Sequence, residues 1–425
     1  MKLTKKLQGS ILIYAIFIML IILIIIGMLI MASYLNSNFV SGIQNKEKVI
    51  DNVQSGLLLA LSKPDITENE GEITLSLFGG LFDTIRISKK RWGIFDLVIV
   101  SSGFQNFLFK KMAFVGGFYK TENMTAFYLP DQKRALAVCG NTLIHGKCML
   151  PSAGVKSGQI EGRFYERNNT VYGNVFISES EFPSLRTEIK GISVNAIIKK
   201  YIFDNYHSTY IISDITESVK KNSFQEETLI YYDEGPTLIR NTVLEGNIII
   251  ISETKITVDS SAVLTDVILC APVIRIKKNY KGSLQCIASD SITLDGECYL
   301  KYPSVLFLNH SSKDGQEYLQ IEEKSRIIGL VIVNTCFDPD KKHISCHISE
   351  GASITGQVYC NGFFSIKGNI YGSLYAKGIL LKTSSGLYEN YLLDAVIDER
   401  LLQDYYAGID LIEISASQKI MKWVY

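Results

Sequence analysis

Residues 354–379 read ITGQVYCNGFFSIKGNIYGSLYAKGI, and one order of residue types returns after sixteen positions. Ile354, Gly356, Val358, Tyr359, Gly362 and Phe363 are matched by Ile370, Gly372, Leu374, Tyr375, Gly378 and Ile379. Such a unit is too short for a domain and too regular for a loop. Short strands at a fixed period, with glycine at the corners, are what stacked rungs require, because each rung buries its apolar side chains only against its neighbours. Adjacent rungs lie about 4.8 Å apart, so equivalent side chains form ladders. The pattern predicts a mainly β protein built on a single-strand β-helix, a solenoid. A sandwich or meander would show hairpin turns and no constant rung length.

The period extends backwards along the chain. Cys270 and Ile276 stand sixteen residues before Cys286 and Ile292, which predicts stacked cysteines acting as small buried hydrophobes. IIGLVIV at 327–333 matches ITGQVYC at 354–360 after twenty-seven residues, one rung plus an eleven-residue excursion around CFDPDKKHISC. Alternation along a strand sends Val358 and Leu374 inward and Tyr359 and Tyr375 to the outside. The main β-helix is expected over 236–384, with first rungs at 136–182 and an insertion of mixed structure at 183–235. A small β-rich region is expected over 64–135, and a C-terminal helix or cap over 385–425.

The N-terminus obeys a different rule. No charged side chain occurs from Leu7 to Asn45, and residues 11–31 are nearly all Ile, Leu, Met and Phe. A helix of that length spans about 31 Å, the thickness of a bilayer's hydrocarbon core. Lys2, Lys5 and Lys6 precede it, so the positive-inside rule keeps the short N-terminus in the cytoplasm and exports the rest. The expected location is therefore the inner membrane, single pass, with the bilayer contacted through residues 11–31. The competing reading is a cleaved secretory signal ending near Met31-Ala32-Ser33, for which the apolar stretch is long. Beyond the span, Val49, Val53, Leu57, Leu58 and Leu61 recur at helical spacing up to Lys63-Pro64. A transmembrane and stalk helix over 10–63 follows, behind a basic leader at 1–9.

Charge and motifs exclude more chemistry than they suggest. Lys plus Arg and Asp plus Glu both number 43, leaving no electrostatic footprint for nucleic acid. GNTLIHGKC at 140–148 has five residues between its glycines and Cys148 where a phosphate loop needs Ser or Thr, so it reads as a rung with two corner glycines. Cys336, His343, Cys346 and His347 are the candidate metal ligands, without the paired cysteine spacing of structural zinc sites. Outside the cytoplasm the same loop base offers a Cys336–Cys346 disulfide, and unlinked thiols remain the third reading. Asp259, Asp266, Asp290 and Asp295 are scattered singly, not in the carboxylate pairs of a glycosidase. No catalytic residue and no cofactor is expected.

The stretch KKLQGSILIYAIFIMLIILIIIGMLIM resembles the leader and helix of type IV pilin-like and pseudopilin proteins. That resemblance implies cleavage by a prepilin peptidase after Gly9, leaving Ser10 as the first residue. Tyr14 occupies the position where the family usually carries glutamate. The Gly-x-apolar rungs of 236–384 are similar in style to bactofilin-type β-helices. The whole chain, LLDAVIDERLL included, looks like uncharacterised envelope proteins of Bacteroidota-type bacteria. Together these readings imply a non-catalytic envelope protein, a minor pilin-like subunit or scaffold in a pilus-like or envelope assembly. The alternative is a signal-anchored β-helix that binds or modifies carbohydrate.

Overall fold

The computed structural model describes residues 8–425 apart from 68–70, 78, 80–83, 118–123, 204–209, 213–218, 311–315, 414 and 416. The fold is mainly β, with one long apolar N-terminal helix and a large parallel sheet. Contacts divide the chain into two units, residues 1–59, 72–87 and 100–111 in one, and 60–71, 88–99 and 112–425 in the other.

The helix Gln8–Ser62 runs without a break, and its residues up to Leu59 belong to the first unit. Its apolar stripe works as the spacing predicts: Val49, Val53 and Leu57 are buried, against strand residues that include the buried Ile85 and Val100. Gly56 marks the closest approach, since a Cβ there would sit 2.7 Å from Ile85 and 2.9 Å from Val100. Leu58 departs from the expected stripe and is 68% exposed.

In the second unit three parallel ladders share one inner core. One runs through Lys255–Val258, Val273–Ile276, Ser291–Leu294, Tyr318–Ile321 and Ile344–Ile348. The others pass through successive segments of the strands Val263–Cys270, Lys281–Ala288, Tyr299–Asn309, Arg326–Asn334, Ser353–Ile366 and Asn369–Lys382. Leu264, Leu269 and Ile274 meet in the same apolar cluster, so side chains from all three ladders converge.

The repeat that opens the sequence is explained by a column of glycines. Gly329, Gly356 and Gly372 stand in register, with φ of 149°, 140° and 141°. A Cβ at Gly356 would fall on the Gly329 carbonyl oxygen, and one at Gly372 on that of Gly356. Only glycine permits both this φ and this approach. Val358 pairs with Leu374, and Tyr359 with Tyr375, as expected. The second glycine pair does not: the register slips after Cys360, and Gly378 lies opposite Phe363.

Other spacings are corrected. Asp266, at φ 60°, sits at a break in register where Thr265 pairs with Ser283 but Val267 with Leu284. Cys270 therefore pairs with Ile287, and Cys286 with Leu269, which puts the two cysteines on opposite faces. Ile276 likewise pairs with Leu294, not with Ile292. Rung order in space also differs from chain order. Thr125–Tyr128 pairs with the strand Asn369–Lys382, then with Lys147–Leu150, which pairs with Val175–Ile177. The first rungs in sequence thus stack beyond the last ones.

Tyr359 is buried, contrary to the expected outer ladder, because a second layer covers that face. The return segment after residue 182 runs back along it: Tyr359 donates from its hydroxyl to Pro183 O (2.9 Å), and Asn309 Nδ2 to Lys190 O (3.0 Å) and Ile192 O (2.6 Å). The described residues of 385–425 form no α-helix; they supply strands Leu387–Glu389, Tyr391–Leu393, Val396–Asp398 and Gln418–Val424. Residues 402–413 between them lie on the same covered face, where Tyr302 donates to Ala407 O (2.9 Å) and Tyr406 to Gly329 O (3.0 Å).

The glycine column sets a test. Gly356→Ala should destabilise the protein by about 3 kcal/mol or more, summing a disfavoured φ and an overpacked contact. Gly351→Ala, also at positive φ but with nothing nearer than 3.7 Å, should cost about 1 kcal/mol. Urea unfolding of the detergent-solubilised chain measures both, and equal losses would contradict the close approach.

Candidate functional site

The residues singled out for metal chemistry do not converge. Cys346 is fully buried in the inner core, in register with Leu319. His347, next along the strand, points the opposite way beside Gln320 and Ser365, and burial lowers its pKa. His343 uses Nε2 on the Glu317 carbonyl at 2.9 Å. Cys336 is exposed on the loop. Among the described residues no group of three or more His, Cys, Asp or Glu could hold a metal ion. Nor does a disulfide join Cys336 to Cys346, since one thiol faces solvent and the other the core.

The remaining cysteines are packing groups. Burial pushes the thiols of Cys270, Cys286 and Cys360 up, and that of Cys148 to about 12 with Glu399 adding to the effect. Such thiols are not nucleophiles at neutral pH. Three of the four scattered aspartates meet cations: Asp259 is 3.1 Å from Lys277, Asp295 3.2 Å from Arg275 and Asp266 2.7 Å from Lys422, while Asp290 accepts from Ser289 Oγ at 2.7 Å. Asp266 is the buried one, and burial raises its pKa against the pull of Lys422.

Two features are left that a sequence reading either found or missed. The helix was found: every residue from Ile11 to Gln44 is exposed, on all sides of the helix. A surface so apolar and so uniformly exposed has no place in water, and by length and composition it can cross a membrane. A pocket of about 340 Å³ was missed, because distant segments build it. It lies between Pro183 and Leu411–Glu413, over Ser373 and Tyr375. Tyr128 stacks on Tyr375 at 5.3 Å and 10°. Burial, and then the charge of Glu413, raise the Tyr375 pKa, while a hydrogen bond with Thr125 lowers it. Gln357 also lines the pocket, but its amide is spent on the Ile409 backbone, accepting from N at 2.7 Å and donating to O at 3.2 Å.

Compared with known proteins, the chain matches no family model and no curated sequence, so neither the bactofilin-style nor the Bacteroidota resemblance gains support. Among solved structures it is similar to the crystal structure of the competence-associated pilin ComZ from Thermus thermophilus. Identity is 8% and the TM-score 0.22, over 89% of this chain and 98% of that one. A likeness of that size carries no argument.

Thiol accessibility checks the assignment. Iodoacetamide at pH 8 should modify Cys336 alone in the folded protein and all 8 cysteines after denaturation, as read by peptide mass spectrometry. A Cys336–Cys346 disulfide would leave the folded protein unlabelled, and labelling at Cys346 would contradict its burial.

Proposed function

We propose that this chain is a single-pass membrane protein that carries a non-catalytic β-helix outside the cytoplasm, as a pilin-like subunit or envelope scaffold. The observation that supports it most is the exposure of the helix on every side from Ile11 to Gln44. A bilayer removes that apolar surface from water, and burial of one Leu or Ile side chain is worth about 1.5–3 kcal/mol. The three ladders around one inner core support the β-helix reading. Lys2, Lys5 and Lys6 lie outside the described residues; the cytoplasmic N-terminus, the inner membrane and processing between Gly9 and Ser10 rest on the sequence. The helix backbone already includes both residues of that bond.

The stacked tyrosines beside Glu413 favour one second reading, carbohydrate binding by the exported part. An aromatic face and a carboxylate acceptor suit a sugar ring, and among the described residues lining the pocket Glu413 has no second carboxyl group beside it for cleavage.

Topology decides the first reading. A reporter fused after Tyr425 should be active only when it requires export, and the mature chain in membrane fractions should begin at Ser10 by N-terminal mass analysis. Cytoplasmic reporter activity would sink the export reading, while a chain that retains Met1 would remove the pilin-type processing and leave the anchor.

A further inference from the structure

One end of the ladders is open. The strand Val175–Ile177 pairs in parallel with Lys147–Leu150, Val175 opposite Cys148 and Ile177 opposite Leu150. Cys148 and Leu150 are fully buried members of the inner core, so Val175 and Ile177 continue the same inward column. Yet they are 50% and 70% exposed, because no described rung follows. Phe176 between them is 49% exposed, its ring 5.6 Å from Lys147 Nζ.

The backbone is open on the same side. Cys148 N donates to Asn174 O and Ser178 N to Leu150 O, so the even-numbered residues face the neighbouring strand. In a parallel pair the N–H and C=O of alternate residues point to opposite sides. The amides and carbonyls of Val175 and Ile177 therefore point away from the ladder, and no other described strand takes them up. An apolar edge of this kind is a template for another strand.

We propose that this edge pairs with the same edge of a second copy of the chain, about a twofold axis through Phe176. Antiparallel pairing there sets Val175 against Ile177 of the second copy, and Ile177 against its Val175. Both are then hydrogen-bonded pairs, which satisfies all four outward backbone groups of each strand. Parity is kept, so inward columns meet inward columns and the two inner cores join end to end. Charge permits it: no charged side chain occurs from Asn168 to Ser178, so no like charges are brought together. The opposite end of the ladders is a poorer partner. There the strand Val219–Asn222 places Lys220 in register with Leu244 of the inner core, and stacking it on Val175–Ile177 would bury an ammonium against an apolar column. Rungs in this fold also join without chain continuity, as Thr125–Tyr128 does on Asn369–Lys382.

The test uses the full chain in detergent, with mass measured by light scattering corrected for bound detergent. The wild type should carry twice the 47.6 kDa of one chain, and Ile177→Lys, at an exposed position, should carry that mass once. Phe176→Cys should form a cross-linked dimer on mild oxidation, since residues of a non-hydrogen-bonded antiparallel pair have Cα atoms about 4.5 Å apart, within disulfide reach. The cross-linked peptide must join Cys at 176 to itself, against wild type under the same oxidant. A monomeric wild type overturns the proposal. So does a dimer that survives Ile177→Lys, which would belong to the membrane helix or another surface.

Discussion

A strand that is apolar at every residue needs a core on each side. Ile248 and Ile250 enter the inner core, while Ile249 and Ile251 enter a second cluster on the other face. The same division holds along the ladder: Leu306 against Phe307, Val331 against Ile332, Val358 against Tyr359. Parallel sheets are found with both faces covered, and here strand residues such as Trp92, Phe95, Phe114 and Met421 supply the cover together with less regular segments around Leu185 and Ile409. Their backbones bring polar groups into an apolar layer, where an unmet hydrogen bond costs about 1–3 kcal/mol. Buried amides solve this. Gln285 accepts from Ile94 N (2.8 Å) and donates to Trp92 O (3.1 Å), just as Gln357 brackets Ile409. Each glutamine meets backbone groups that no neighbouring strand takes up, Gln285 at the turn after the strand Thr84–Trp92 and Gln357 in the segment around Ile409.

How much of this was legible depends on the range over which each constraint acts. The glycine column and the parity of Val358 and Tyr359 are local, and the repeat carries both. The pairing of Cys270 with Ile287 turns on one residue, Asp266, whose positive φ leaves no mark in the spacing. Burial of Tyr359 needs Pro183, far away in sequence, and no periodicity reports that. For the site, the Cys/His cluster around residues 336–347 failed because alternation along the strand Ile344–Ile348 sends Cys346 and His347 to opposite faces. The stacked Tyr128 and Tyr375 are far apart in sequence, and only the unusual rung order brings them together.

The helix is the converse case. Val49, Val53 and Leu57 follow a stripe and are buried by protein, whereas Ile11 to Gln44 follows none and is exposed among the described residues. On the proposed membrane reading one continuous helix meets two solvents, and the change in its pattern marks where one gives way to the other.

The rung order has a consequence for synthesis. Residues 125–177 are made early, but the strand they stack on, Asn369–Lys382, and the strand Val396–Asp398 that pairs with Leu143–His145 come near the end. The early segment must therefore wait, its inward side chains unmet, while the middle of the chain is made. Contacts of such long sequence separation form slowly and leave apolar edges open meanwhile. A chain stopped before residue 369 would lack more than those later strands: it would strand the earlier ones at 125–177, which makes synthesis through Val396–Asp398 a condition for closing this part of the fold.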